Sequence, residues 1–209
     1  MTPQTLLAGA HALLVDLDGT LIDSEAAVNR VWSAFAVRHG LDPRAVTKVA
    51  QGRPSRETIR ALLDDPPQLD RIAEDFDADE VADVDGVVAY AGARELLANP
   101  GRPLAIVTSC TTALARARLR AAGLPEPAVL VTADAITNGK PHPEPFLLGA
   151  ERLAVDPAGC VVLEDAPAGI AAGRAAGARV IALRTTHADA DLAEADAVVD
   201  SLQELLEAV

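Results

Sequence analysis

Two aspartates two residues apart, Asp16-Leu17-Asp18, followed at once by Gly19-Thr20, can divide a reaction between them. One carboxylate attacks phosphorus while the other moves protons, once a cation offsets their mutual repulsion. Gly19 lets the chain turn away sharply behind the pair. An Asp-x-Asp alone is weak, because acids at strand ends commonly cap turns. Three further groups give it weight. Thr108 and Ser109 directly follow the apolar run Leu104-Ala-Ile-Val107; their hydroxyls and the next backbone amides can hold phosphate oxygens. A helix expected from about Thr111 adds a favourable N-terminal dipole, although a lone hydroxyl residue after a strand would ordinarily be an N-cap. Lys140 lies in Asn138-Gly-Lys-Pro-His-Pro-Glu-Pro145, where prolines set one long cation in a rigid loop rather than on a helix face. Its neighbour His142 reads as loop structure. Glu164-Asp165 closes the run Val161-Val-Leu163 and offers hard oxygen ligands of the kind magnesium prefers, the plain alternative being an Asp165 helix cap. Acids gathered around an anionic ester would repel it, so the pattern calls for Mg2+.

The elements that must position these groups follow from periodicity. His11-Ala-Leu-Leu-Val-Asp16 is an apolar run that stops at acids, as a buried parallel strand ending at a site would. Between Ser24 and His39, Val28, Val31, Trp32, Phe35 and Ala36 recur at helical spacing, and Gly40 ends the pattern. Helices are predicted over about Arg44 to Ala50, Ser55 to Leu63 and Leu69 to Ala82, separated by turn signals such as Gly52-Arg53-Pro54. After Gly92 strands alternate with helices: Leu104 to Thr108, Val129 to Val131, Cys160 to Leu163 and Val180 to Leu183. The expected fold is therefore α/β, a Rossmann-like parallel sheet core of residues 1–21 and 92–209, with a small inserted all-α cap of residues 22–91. Ligands of such sheets sit outside the carboxyl ends of the strands, which collects Asp16, Asp18, Thr108, Ser109, Glu164 and Asp165 in one place, with Lys140 entering from a loop.

Composition sets the frame. The 209 residues are 50% hydrophobic and 23% charged, enough apolar material to bury a core. A formal net charge of −13 argues against nucleic acid, whose binding leans on Lys and Arg. No apolar stretch approaches the roughly 20 residues that span a bilayer, so no membrane role is expected. Cys110 and Cys160 can form neither a disulfide framework nor a clustered zinc site, and a reducing cytoplasm is the expected compartment. His11, His39 and His187 show no ligand spacing.

The segments DLDGTLIDS, VTSCT, GKPHPEPF and VLEDAPAGIAAG resemble, in order and spacing, the four motifs of the haloacid dehalogenase superfamily. The resemblance spans essentially the whole chain and extends to the sugar-phosphate phosphatases of bacteria and the yeast deoxyglucose-phosphate and glycerol-phosphate phosphatases. It implies that Asp16 is the nucleophile and Asp18 the acid and then the base. It implies too that Asp16 and Asp165 bind Mg2+ by side chain and Asp18 by its carbonyl, that Thr108 and Lys140 hold the phosphoryl group, and that Glu164 supports the metal shell or Lys140. The expected activity is hydrolysis of a small sugar or polyol phosphate. Dehalogenases of this fold lack the second aspartate, so Asp18 and Asp165 count against them. A hexose-phosphate mutase is the runner-up, but such mutases usually carry a histidine where Val28 stands. A binding module that only retains the fold would be expected to have lost a motif acid, and all are present. Substrate reading by the inserted helices is assigned to Gly52-Arg53-Pro54-Ser55-Arg56, with Arg53 and Arg56 as the cations; solvated helix-start residues are the plain alternative. Related sugar phosphatases often carry a histidine where Gln51 stands here.

Overall fold

In the computed structural model, which describes residues 2–50 and 54–207, apolar runs pair in parallel to form a six-stranded sheet. Its strands are β1 (Ala12–Val15), β4 (Leu104–Val107), β5 (Val129–Val131), β6 (Cys160–Glu164), β7 (Arg179–Leu183) and β8 (Ala197–Val199), in the order β5-β4-β1-β6-β7-β8. β1 sits between β4 and β6, with Val15 level with Ile106 on one side and Leu163 on the other. The residues that follow these three strands therefore emerge side by side.

All four residues of β1 are buried, which is why its sequence is a continuous apolar run rather than an alternation. Leu13 and Val15 enter one apolar cluster with α1 (Pro3–Ala8), α6 (Ala93–Ala98), α7 (Thr112–Ala121) and α10 (Leu202–Glu207). Ala12 and Leu14 enter the opposite one with α8 (Glu144–Arg152) and α9 (Pro167–Ala175). The pleat sends alternate side chains to the two faces, and helices cover both.

A helical block intervenes between β1 and β4: α2 (Glu25–Arg38), α3 (Pro43–Ala50), α4 (Ser55–Leu62) and α5 (Leu69–Ala82). It has its own apolar cluster, in which Trp32, Phe35 and Phe76 stack with ring centroids 4.1 to 5.5 Å apart. Three of the chain's five aromatic residues are spent here, supplying large buried area to a layer too small to build it from alanine. The chain enters and leaves the block through an antiparallel ribbon, β2 (Ile22–Asp23) and β3 (Val88–Ala89), pairing Ile22 with Ala89. The ribbon, α1, β8 and α10 are additions to the elements read from the sequence; the other boundaries lie within a residue or two of expectation. No helix among the described residues is long and apolar enough to cross a membrane. Gln51, Gly52 and Arg53, in the turn expected to read the substrate, lie outside the described residues.

Candidate active site

Beyond β1 the chain makes one tight loop. The Leu17 carbonyl accepts from the amides of Leu21 and Ile22, at 2.8 and 3.0 Å, while Leu17 and Leu21 are fully buried and anchor the loop. Gly19 adopts φ +82°, and a Cβ on it would lie 2.1 Å from an oxygen of Asp165. Glycine is thus required twice, for the left-handed turn and for the close approach of the carboxylate.

Asp16, Glu164 and Asp165 are buried, and one carboxylate oxygen of each lies within 4.8 Å of the others. Lys140 reaches in from the loop before α8, its Nζ 2.5 Å from Asp16 Oδ1, 2.7 Å from Glu164 Oε1 and 3.1 Å from the Val107 carbonyl. That loop is tied down by Glu144, which accepts from the amides of Thr137 and Asn138 and from the Asn138 side chain. His142 is exposed and its Nδ1 accepts from the Glu144 amide, in keeping with a loop role. Glu164 Oε2 accepts from the amides of Asp165 and Ala166, and Gly169 makes room for the carboxylate, since a Cβ there would come within 1.7 Å of Oε1. Asp165 accepts from Thr20 and Thr186 hydroxyls.

Burial dominates the electrostatics. It raises the Asp16 carboxyl well above the usual range, Lys140 opposes this, and Glu164 and Asp165 add to it. Burial and then Glu164 push Asp165 up to about 7. Lys140 loses hydration too, yet Asp16 and Glu164 hold its ammonium charged. Three carboxylates face one lysine, which bonds Asp16 and Glu164, so with all three ionised the cluster would carry excess negative charge in a desolvated place. Such an all-oxygen donor set fits a hard divalent cation.

Thr108 and Ser109 follow β4 as expected. Thr108 is buried and its Oγ accepts from the Cys110 amide at 3.1 Å, while Ser109 is exposed on the cavity wall. Thr111, not Thr108, caps α7, its hydroxyl accepting from the Leu114 amide, and the Thr112 amide is taken by Asp134. Asp18, two residues after Asp16 on the same loop, lines the cleft as well. Its Oδ1 accepts from Ser24 Oγ at 2.6 Å and Arg118 Nη1 at 2.8 Å, and its Oδ2 from the Cys110 thiol at 3.0 Å. Ser24 precedes α2 but does not cap it with its side chain, because the hydroxyl is used on Asp18. Burial, then the Asp18 charge, push the Cys110 thiol up, which disfavours a reactive thiolate.

A cavity of about 430 Å³ opens between the sheet tip and the helical block, within the range of small-molecule sites, about 300–1,000 Å³. Asp16, Asp18, Thr108, Ser109, Lys140, Glu164 and Asp165 all line it; from the block come Val28, Ser55, Arg56, Asp77 and Glu80. Arg56 also pairs with Asp70. Arg118 and Glu80 are missing from the residues singled out in the sequence. The available signal was a charge on an apolar stripe: Arg118 is buried with Leu114, Ala115 and Leu119 on α7, and Glu80 with Leu69, Ala73 and Phe76 on α5.

The sequence pattern of the haloacid dehalogenase-like hydrolases matches residues 10–177. Hexitol phosphatase A of Escherichia coli is 43% identical over 197 residues, 92% of this chain and 91% of that protein. Among solved structures, CbbY from Rhodobacter sphaeroides in complex with phosphate is 27% identical with a TM-score of 0.82, covering 94% of this chain and 96% of that one. β-Phosphoglucomutase from Clostridium difficile is 25% identical with a TM-score of 0.81, covering 94% and 93%.

Proposed function

The chain belongs to the haloacid dehalogenase-like hydrolases and is a phosphatase, and we propose that it hydrolyses small sugar and polyol monophosphates by passing the phosphoryl group to Asp16 and then to water. The observation that carries this reading is the buried set of Asp16, Glu164 and Asp165 at adjoining strand ends, joined by Lys140 from the loop before α8, with Asp18 lining the same cavity. Asp16 attacks phosphorus, the ester P–O bond breaks, and the leaving oxygen takes a proton from Asp18. Asp18 then takes a proton from water as the water oxygen attacks the Asp16-bound phosphoryl group, releasing inorganic phosphate and freeing Asp16. Thr108 and Lys140 hold the non-bridging oxygens of the transferring phosphoryl group, with Ser109 beside Thr108, so that positioning and charge do most of the work. Asp16 and Asp165 would hold Mg2+ by side chain and Asp18 by its carbonyl, and the ion would neutralise charge where two anions meet. Glu164, with both oxygens already engaged by Lys140 and backbone amides, serves in this scheme to hold the lysine and the loop.

The division into a sheet core and a cap at residues 22 and 91 belongs to the same proposal; the separate aromatic cluster and the ribbon at Ile22 and Ala89 support it. So does substrate reading by the cap, where Arg56 lines the cavity and Arg53 is assigned from sequence alone. Two free, buried cysteines accord with a cytoplasmic site of action. Mutase chemistry is the second reading, favoured by the likeness to β-phosphoglucomutase. Against it, Val28 lines the cavity from α2, and its apolar side chain cannot carry a proton to or from a sugar hydroxyl.

Asp16→Asn should lower turnover on a hexitol phosphate by at least about three orders of magnitude, the effect of removing a positioned nucleophile. Wild-type activity should vanish in EDTA and return with magnesium. Turnover of Asp16→Asn within tenfold of wild type would sink the nucleophile assignment. Isomerised hexose phosphate without inorganic phosphate, dependent on a bisphosphate activator, would select the mutase.

A further inference from the structure

We propose that Arg118 is the positioning residue for Asp18, gripping its carboxylate from α7 while Glu80 on α5 fixes the guanidinium from the other side. This rests on reading Asp18 as the proton-transfer group. Arg118 Nη1 lies 2.8 Å from Asp18 Oδ1 and Nη2 lies 3.0 Å from Glu80 Oε1. The side chains of Arg118 and Glu80 are 5% and 10% exposed, so that contact is shielded from solvent, while the Asp18 side chain, 26% exposed, keeps a face open to the cavity. The other donors to Asp18, the Ser24 hydroxyl and the Cys110 thiol, are neutral groups whose hydrogens rotate freely. The guanidinium is planar with its donors in a fixed fork, so holding one nitrogen on Glu80 aims the next at Asp18.

Stability gives little reason to keep such a cluster. A buried ion pair commonly contributes less than well-packed apolar residues of the same volume, because desolvation offsets the attraction. Arg118 Nε is moreover buried without a partner among the described residues, where the guanidinium lies as the two carboxylates hold it. With Ser24 and Arg118 both on Oδ1, the oxygen engaged only by the weaker thiol donor, Oδ2, is the one available to exchange a proton with the leaving oxygen. Because α5 belongs to the helical block and α7 to the sheet half, the aim of Asp18 depends on how the block is seated.

The test compares kcat/KM for a hexitol phosphate, whose alkoxide needs protonation, with that for p-nitrophenyl phosphate, whose leaving group does not. Arg118→Met should lower the first at least about thirtyfold, part of the 10²–10⁴ that a general acid contributes, and the second less than about threefold. Arg118→Lys should restore part of the loss, and Glu80→Gln should show the same selectivity at about fivefold on the hexitol phosphate. Equal losses on both esters, or none on either, overturn the proposal. If Arg118→Met does not fold, Glu80→Gln decides by the same criterion. Asp18→Asn separates the two levels. Selective loss there with unselective loss in Arg118→Met removes only the role of Arg118, whereas unselective loss in Asp18→Asn removes the acid reading itself.

Discussion

The sheet tip and the outer surface of the helical block both carry short ion pairs, Lys140 with Asp16 at 2.5 Å and Arg38 with Asp79 at 2.7 Å. Distance does not separate them. Exposure does: the side chains of the first pair are 6% and 10% exposed, those of the second 51% and 43%. At the tip, water is excluded and each charge depends on its neighbours for what hydration would otherwise supply, so loss of one member leaves the others uncompensated. On the block, water screens both partners and the pair contributes little. The same geometry is thus machinery in one region and surface in the other. The block's own integrity rests on its aromatic cluster instead.

The largest effect should come from breaking the tip. Lys140→Ala leaves three buried carboxylates without their lysine. It should cost about 3–5 kcal/mol of stability, as removal of one partner from a buried pair does, together with at least about a hundredfold in kcat/KM on alkyl and aryl esters alike. Thermal unfolding and kinetics on the same preparation read both. A variant as stable and active as wild type would mean that the tip behaves like surface.

Phe76→Ala comes next, at about 3 kcal/mol for a truncated core aromatic. Hydrogen exchange should show the loss in α2 and α5 while β1, β4 and β6 keep their protection, because Phe76 packs within the block's cluster and not against the sheet. Uniform loss through the sheet would show instead that block and sheet unfold as one unit.

Arg38→Ala should be the smallest, within about 1 kcal/mol by denaturant titration and without effect on turnover. A cost matching that of Lys140→Ala would break the comparison outright, since it would make burial irrelevant to the value of an ion pair.

The amino-acid sequence by itself determined the strand ends and what stands on them. Short continuous apolar runs that halt at Asp16, Thr108 and Glu164 and alternate with helical segments read as buried parallel strands, and the parallel sheet then carries their polar successors to one edge. Those relations are local, a run and the residue after it, and need no knowledge of packing. The ribbon of β2 and β3 was not legible, because two residues carry no period. Nor was the environment of Asp18. Its contact with Arg118 spans 100 residues and exists only through the way α7 packs beside β1, and that of Arg118 with Glu80 spans 38 and exists only through the way α5 seats against α7. A charge on an apolar stripe signals that some partner is buried with it. Which partner, and on which side of the cleft, is decided by helix packing, a property of the folded chain that residue spacing along a single segment does not encode.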